Sequence, residues 1–143
     1  MTNKLSLTKS IIINAPKASV WDAITKPELI KKYFFGTETV SDFKKGSPIV
    51  YRGVWEGKPY EDKGTILEIE KNKILKHNYW SSFTGTPDTP ENYANITYAL
   101  SGDDGSVKLS ITQDNIATEE AKIHSENNWG MVLDGMKKML EKN

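Results

Sequence analysis

Cysteine is missing altogether from this sequence. That one absence removes disulfide staples, thiolate nucleophiles and cysteine-ligated metals together. Arginine is nearly missing as well: Arg52 stands alone among the 19 basic residues, so no multi-arginine clamp for phosphate or guanine can be assembled. Neither sign of charge is in excess, with 19 Lys+Arg against 19 Asp+Glu and a formal net charge of +0. The balance argues against a nucleic-acid partner, whose binding draws on a surplus of basic groups over phosphates. Long hydrophobic runs are absent; none is longer than a triplet such as Ile11-Ile12-Ile13, which leaves no membrane span. Met1 to Leu7 carry no signal-cleavage pattern. The expected location is therefore the cytoplasm, where the Asn95-Ile96-Thr97 sequon has no meaning.

What is present suits one domain over residues 1–143. A chain of 143 residues and 16.1 kDa buries roughly 68–70% of its unfolded surface. Apolar residues at 37% and aromatics at 10% are enough for a packed core. No linker, repeat or low-complexity stretch divides it.

Hydrophobic periodicity orders the elements. Leu5 to Asn14 alternates like a strand, and Pro16 opens a first short helix through Thr25. Pro27 opens a second, with Leu29, Ile30, Tyr33 and Phe34 at helical spacing, and Gly36 stops it. Strands follow at Thr37–Phe43, Pro48–Val54, Tyr60–Glu70 and Lys73–Ser82, then a Gly/Pro-rich loop over Gly85–Pro90. Tyr93–Leu100 and Ser106–Gln113 form a hairpin, with Ile96, Tyr98 and Leu100 matched by Val107, Leu109 and Ile111 on one face. From Glu119 to about Lys142 runs the strongest helix, acidic at its start and basic at its end as the macrodipole favours. Its apolar stripe is Trp129, Val132, Leu133, Met136, Met139 and Leu140, with Met131 off it. Such a helix must lie against something, and an antiparallel sheet of six to seven strands is available. The fold class is α+β. A curved sheet wrapped around a helix can enclose a cavity between them.

These residues resemble a known family. The run Asn14-Ala15-Pro16 through Val20-Trp21 to Lys26-Pro27-Glu28-Leu29, then Asp42-Phe43-Lys44-Lys45-Gly46 and Gly64-Thr65-Ile66-Leu67, resemble the domain related to the activator of the heat-shock protein 90 ATPase. The closing run from Asn128-Trp129 to Leu140-Glu141 is similar to that family's last helix. The family belongs to the START and birch-pollen-allergen (SRPBCC) superfamily. The resemblance implies a helix-grip fold, a curved antiparallel sheet around a long C-terminal helix with two short helices after the first strand. It also implies an apolar cavity of the kind used for lipids, sterols and polyketides.

Within that fold, tyrosine and tryptophan suit a pocket that must orient a greasy ligand, since each combines an apolar body with a hydrogen-bond donor. Tyr33, Phe34, Tyr51, Trp55, Tyr79, Trp80, Tyr98 and Trp129 sit on elements the fold gathers around one interior, and of these Tyr33, Tyr51, Trp55, Tyr79, Tyr98 and Trp129 are the candidate lining residues. Leu133 and the adaptable Met136 join them from the helix side. His77 shares a strand face with Leu75 and Tyr79, and reads as a structural or cavity-polar histidine before a catalytic base. His124, early in the last helix, faces solvent. Two histidines without an HExxH-like pair make no zinc site, so no metal and no cofactor is expected. Asp103-Asp104 between glycines reads as a hairpin turn, and Glu61-Asp62 as solvated charge. No nucleophile elbow or phosphate loop is present, and no catalytic residue is assigned. The expected function is non-catalytic binding of a small hydrophobic molecule by a monomer. A chaperone-interaction module of the heat-shock protein 90 activator type is the first alternative; a cyclase- or dehydratase-like enzyme using His77 and a tyrosine is the second.

Overall fold

The computed structural model describes residues 5–34, 36–81 and 87–141, with Trp55 as backbone only. Strand β1 (Leu5–Ile13) leads into helices α1 (Lys17–Thr25) and α2 (Pro27–Tyr33). Strands β2 (Glu38–Ser41), β3 (Pro48–Trp55), β4 (Lys58–Glu70), β5 (Ile74–Ser81), β6 (Ala94–Asp103) and β7 (Ser106–Ile116) follow, and α3 (Glu119–Glu141) closes the chain. They form a 7-stranded antiparallel sheet in the order β1-β7-β6-β5-β4-β3-β2. The helix-grip architecture expected from the sequence is the one observed. Short turns set most of the register. Between β3 and β4 the turn residues Glu56 and Gly57 both have positive φ, 51° and 79°, the signature of a type I′ hairpin that matches strand twist.

Helix α3 presents Val132, Leu133 and Met136 to the core, each 2% exposed or less, while Met131 stands out in solvent. They meet Ile66, Leu75, Ile96, Leu109 and Ile111 from the concave face of the sheet. At its C-terminal end, Lys137 donates to the Ile12 carbonyl at 2.6 Å, and Glu141 accepts the Asn14 N–H at 2.7 Å. The β6–β7 turn is tighter than the sequence suggests, because the strands continue to Asp103 and restart at Ser106. Asp104 does more than turn the chain: it accepts the Lys17 N–H at 2.9 Å, supplying a partner to the start of α1. Gly105 donates to Ala15 O at 3.0 Å alongside it. The loop after β5 ends in a single 3-10 turn, Pro90–Asn92. Of the Gly/Pro-rich stretch predicted there, residues 85–86 lie outside the described chain.

One close approach inside the sheet admits only glycine. A Cβ on Gly64 would lie 1.8 Å from the backbone oxygen of Asn78, and strand backbone cannot yield that much without losing its ladder. Gly64→Ala is expected to cost about 2–3 kcal/mol, the upper part of the range for overpacking. Gly130→Ala in α3 meets nothing closer than 3.8 Å, and should gain about 0.5–1 kcal/mol from helix propensity. Urea unfolding of the two variants measures both; a neutral Gly64→Ala contradicts the packing described.

Candidate functional site

Direct cross-strand pairs share a face of the sheet, so the register organises the concave side into rows. Thr39 pairs with Tyr51, Tyr51 with Asp62, and Asp62 with Ser81. Another row runs Ile66, His77, Ile96, Gln113 and Leu7. Tyr98 lies opposite Leu75 and Ile111.

From these rows five aromatic rings close a circuit. Phe34 stacks on Tyr51 at 5.9 Å between centroids, Tyr51 lies 5.8 Å from His77, and His77 lies 6.0 Å from Tyr98. Trp129 then completes it edge-on, 6.1 Å from Tyr98 and 6.1 Å from Phe34. These spacings fall in the range where aromatic pairs attract beyond simple burial. The Trp129 indole N–H donates to Gln113 at 2.8 Å. Leu133 and Met136 are buried with this group. The structure therefore brings together Tyr51, His77, Tyr98, Trp129, Leu133 and Met136.

The other predicted residues are placed differently. Tyr33 ends α2 and spends its hydroxyl on the Ala23 carbonyl at 2.7 Å, tying α2 to α1. Tyr79 points its hydroxyl to Asp62 at 2.8 Å. The Trp55 side chain lies outside the described residues. His124 is exposed, as expected. Asp62 is not the solvated charge its neighbour Glu61 suggested, because adjacent strand residues face opposite ways and Asp62 takes the concave side. Gln113, Thr39 and Asp62 are not among the predicted lining residues, and Phe34 counts among the gathered aromatics but not as lining. Continuing the alternation of Val107, Leu109 and Ile111 by one step reaches Gln113. Recognising Glu56-Gly57 as a two-residue turn would have set Asp62 opposite Tyr51.

Electrostatics follow from burial. His77 is 1% exposed; its Nδ1 donates to the Asn78 carbonyl at 2.7 Å, leaving Nε2 as the acceptor, with the Tyr51 hydroxyl 3.5 Å away. Burial lowers the His77 pKa to about 4, against the pull of the Asn78 hydrogen bond, so the ring is neutral at neutral pH. Burial likewise holds the hydroxyls of Tyr33, Tyr51, Tyr79 and Tyr98 above the ordinary phenol value, and Tyr51 and Tyr98 hydrogen-bond each other. Asp62 is raised by burial, against the opposing hydrogen bonds from Ser81 and Tyr79. The His77 ring and the tyrosine hydroxyls are thus neutral donors and acceptors at neutral pH. Among the described residues no group of three or more metal-ligating side chains gathers, and no helix is long and apolar enough to cross a membrane.

Beside the aromatic circuit lies a groove of about 960 Å³ between α2 and the ends of β2, β3 and β4. Pro27, Glu28 and Lys31 form its helical wall, with Thr39, Gly53 and Tyr60 opposite. Tyr60 folds over Gly53, and its hydroxyl meets that of Thr37 at 2.5 Å. Glu38 and Arg52 face each other at the rim, 3.7 Å apart and exposed, a pair of little energetic weight.

A family model described as activator of Hsp90 ATPase homolog 1-like protein matches residues 14–141. A Cytophaga hutchinsonii protein known from its solution structure is 49% identical, over 99% of this chain and 97% of its own, with a TM-score of 0.85. CalU16 from Micromonospora echinospora is 21% identical over 96% of this chain and 76% of its own, with a TM-score of 0.75. The Aha1 dimer from Colwellia psychrerythraea is 18% identical over 96% and 97%, with a TM-score of 0.77. At those last two identities the likeness is one of fold. No curated protein matches the chain.

Because His77 is neutral when folded but titrates near its ordinary value of 6.5 when unfolded, the unfolded chain binds the extra proton between those values. Its contribution to stability is complete above about pH 6.5 and is lost as the pH falls toward 4. The loss attributable to His77 is about 3 kcal/mol. Stability curves of the wild type and His77→Phe, subtracted from each other between pH 7 and pH 4, should show that slope. Parallel curves would contradict a buried, neutral imidazole.

Proposed function

Since the chain belongs to the family of activator of Hsp90 ATPase homolog 1-like proteins, we propose that it binds a small, mostly apolar molecule between the concave face of the sheet and α3, without transforming it. The observation that carries this reading is the circuit of Phe34, Tyr51, His77, Tyr98 and Trp129 between the sheet and α3; the groove of about 960 Å³ along α2 lies beside it, reaching it only through Thr39, the cross-strand neighbour of Tyr51. Ligand sites are commonly largely apolar and furnished with a few convergent polar groups, and Tyr51, His77, Tyr98, Trp129, Leu133 and Met136 supply that chemistry. The whole chain is taken to act as one such domain. A His77 conjugate acid near 4 makes a weak base at neutral pH, which supports binding over proton-transfer catalysis.

Naphthalene and 1-decanol serve as probes. Each is expected to cause saturable shifts at the Trp129 indole N–H and at the Leu133 and Met136 methyls, and to quench tryptophan fluorescence. Absence of shifts at these groups up to the solubility limit would remove the reading.

The family's description favours a second reading, in which the chain engages a chaperone of the heat-shock protein 90 type. Its check is direct. Addition of the protein should raise the chaperone's ATPase rate, and a flat response at high micromolar concentration rules it out.

A further inference from the structure

One member of the aromatic circuit is held differently from the others. His77 is anchored on Asn78, Trp129 on Gln113, and Tyr51 and Tyr98 on each other, all by hydrogen bonds. Phe34 has no polar side-chain atom, so its ring is kept in place by packing alone. It is also only partly buried, whereas Tyr51, His77 and Tyr98 are 6%, 1% and 5% exposed. Its backbone ends an element instead of lying within one. Helix α2 has 7 residues, and Phe34 caps it with φ −112° and ψ 55°, off the helical path. The preceding residue makes the contrast plain, because the Tyr33 hydroxyl is tied to the Ala23 carbonyl at 2.7 Å.

The place Phe34 fills is shaped for a flat ring. Tyr51 lies parallel to it within 16° at 5.9 Å between centroids, and Trp129 meets it at 88° and 6.1 Å. Offset stacking and edge-to-face contact are the two arrangements that aromatic pairs prefer, and they reward a planar π-system over a saturated group of equal size. Rotation about the side-chain bonds of Phe34 would uncover Tyr51 and Trp129 with the backbone undisturbed. The Phe34 N–H would still donate to Ile30, and the Thr37 N–H to the Phe34 carbonyl, both at 2.9 Å. Room for the displaced ring lies close by, in the groove of about 960 Å³ lined by Gly36 and Thr39. Gly36 is two residues beyond Phe34, and Thr39 is the cross-strand neighbour of Tyr51.

We propose that the Phe34 ring holds the ligand's place between Tyr51 and Trp129, and that a planar aromatic group binds by displacing it toward the groove along α2. This rests on the binding reading above, and adds the class of ligand and the residue that yields to it.

The test uses the full chain with p-cresol, which reproduces the Phe34 side chain plus a hydroxyl, its saturated counterpart 4-methylcyclohexanol, and naphthalene. Affinities come from two-dimensional amide spectra, and ring contacts from nuclear Overhauser effects. Wild type saturated with p-cresol should lose the Phe34–Tyr51 ring contact and gain one between p-cresol and Tyr51. Phe34→Ala should bind p-cresol about tenfold more tightly than wild type, since no ring has to be moved from its two partners first. The same variant should prefer p-cresol to 4-methylcyclohexanol about fivefold. A Phe34–Tyr51 contact that persists with p-cresol bound overturns the proposal. So do equal p-cresol affinities of variant and wild type, equal affinities of the variant for the two alcohols, or naphthalene binding without p-cresol binding. In each of those cases naphthalene-induced shifts at Trp129 keep the binding reading intact. If neither aromatic compound binds either protein, both readings fall. Should Phe34→Ala not fold, Phe34→Leu keeps the apolar bulk without the stacking, and should bind p-cresol about threefold more tightly than wild type.

Discussion

A single hydrogen bond organises the interior: the Nδ1–H of His77 on the carbonyl of Asn78. An imidazole at 1% exposure survives burial only if its donor is satisfied, since an unmet buried donor costs as much as several apolar contacts return. The carbonyl of its own neighbour meets that need, and Gly64 makes room for it, since any Cβ there would overlap the Asn78 oxygen. The Asn78 side chain secures the same spot by accepting the Thr65 N–H at 2.6 Å. With one nitrogen thus committed, the other faces Tyr51 as an acceptor. Three residues on two strands therefore decide the tautomer of one ring, and the ring's orientation decides how Tyr51 and Tyr98 pack beside it.

Much of this could be read from the residues, and the boundary of what could not is physical. Alternation placed Ile96, Tyr98 and Leu100 and their partners inward because antiparallel strands with one wet face keep a period of two. The stripe from Val132 to Met136 was plain for the corresponding reason in a helix. The helix-grip order followed from those patterns with the family resemblance. What stayed hidden depends on which residue lies opposite which. Asp62 looks like one of a charged pair until the Glu56-Gly57 turn sets it across from Tyr51. Asp104 looks like a turn residue, and is one, but its contact with Lys17 spans the molecule, and no local pattern encodes that.

The interior divides its labour between layers. The helix contributes shape, with Val132, Leu133 and Met136 carrying no hydrogen-bonding group beyond the thioether. The sheet contributes polarity, ordered from the Thr39–Ser81 row at one end toward the aliphatic Leu75, Leu109 and Ile111. A rigid β-scaffold holds directional groups in place, whereas a flexible methionine tolerates variation in whatever lies against it. Phe34 and Trp129 join the layers, reaching the same tyrosines from α2's end and from α3.

The tip of the β6–β7 hairpin, resting on the start of α1, ties the order of folding to the order of synthesis. Helix α1 is 9 residues long, too short to persist alone in water, and the Asp104 carboxylate that completes its first turn emerges from the ribosome long after it. Strand β1 waits in the same way, for its strand partner is β7. The N-terminal quarter of the chain thus cannot complete its contacts until the C-terminal hairpin exists to receive it. Pairings so distant in sequence slow the search for the native state, and a nascent chain halted before β7 would hold an incomplete sheet with its first strand unpaired.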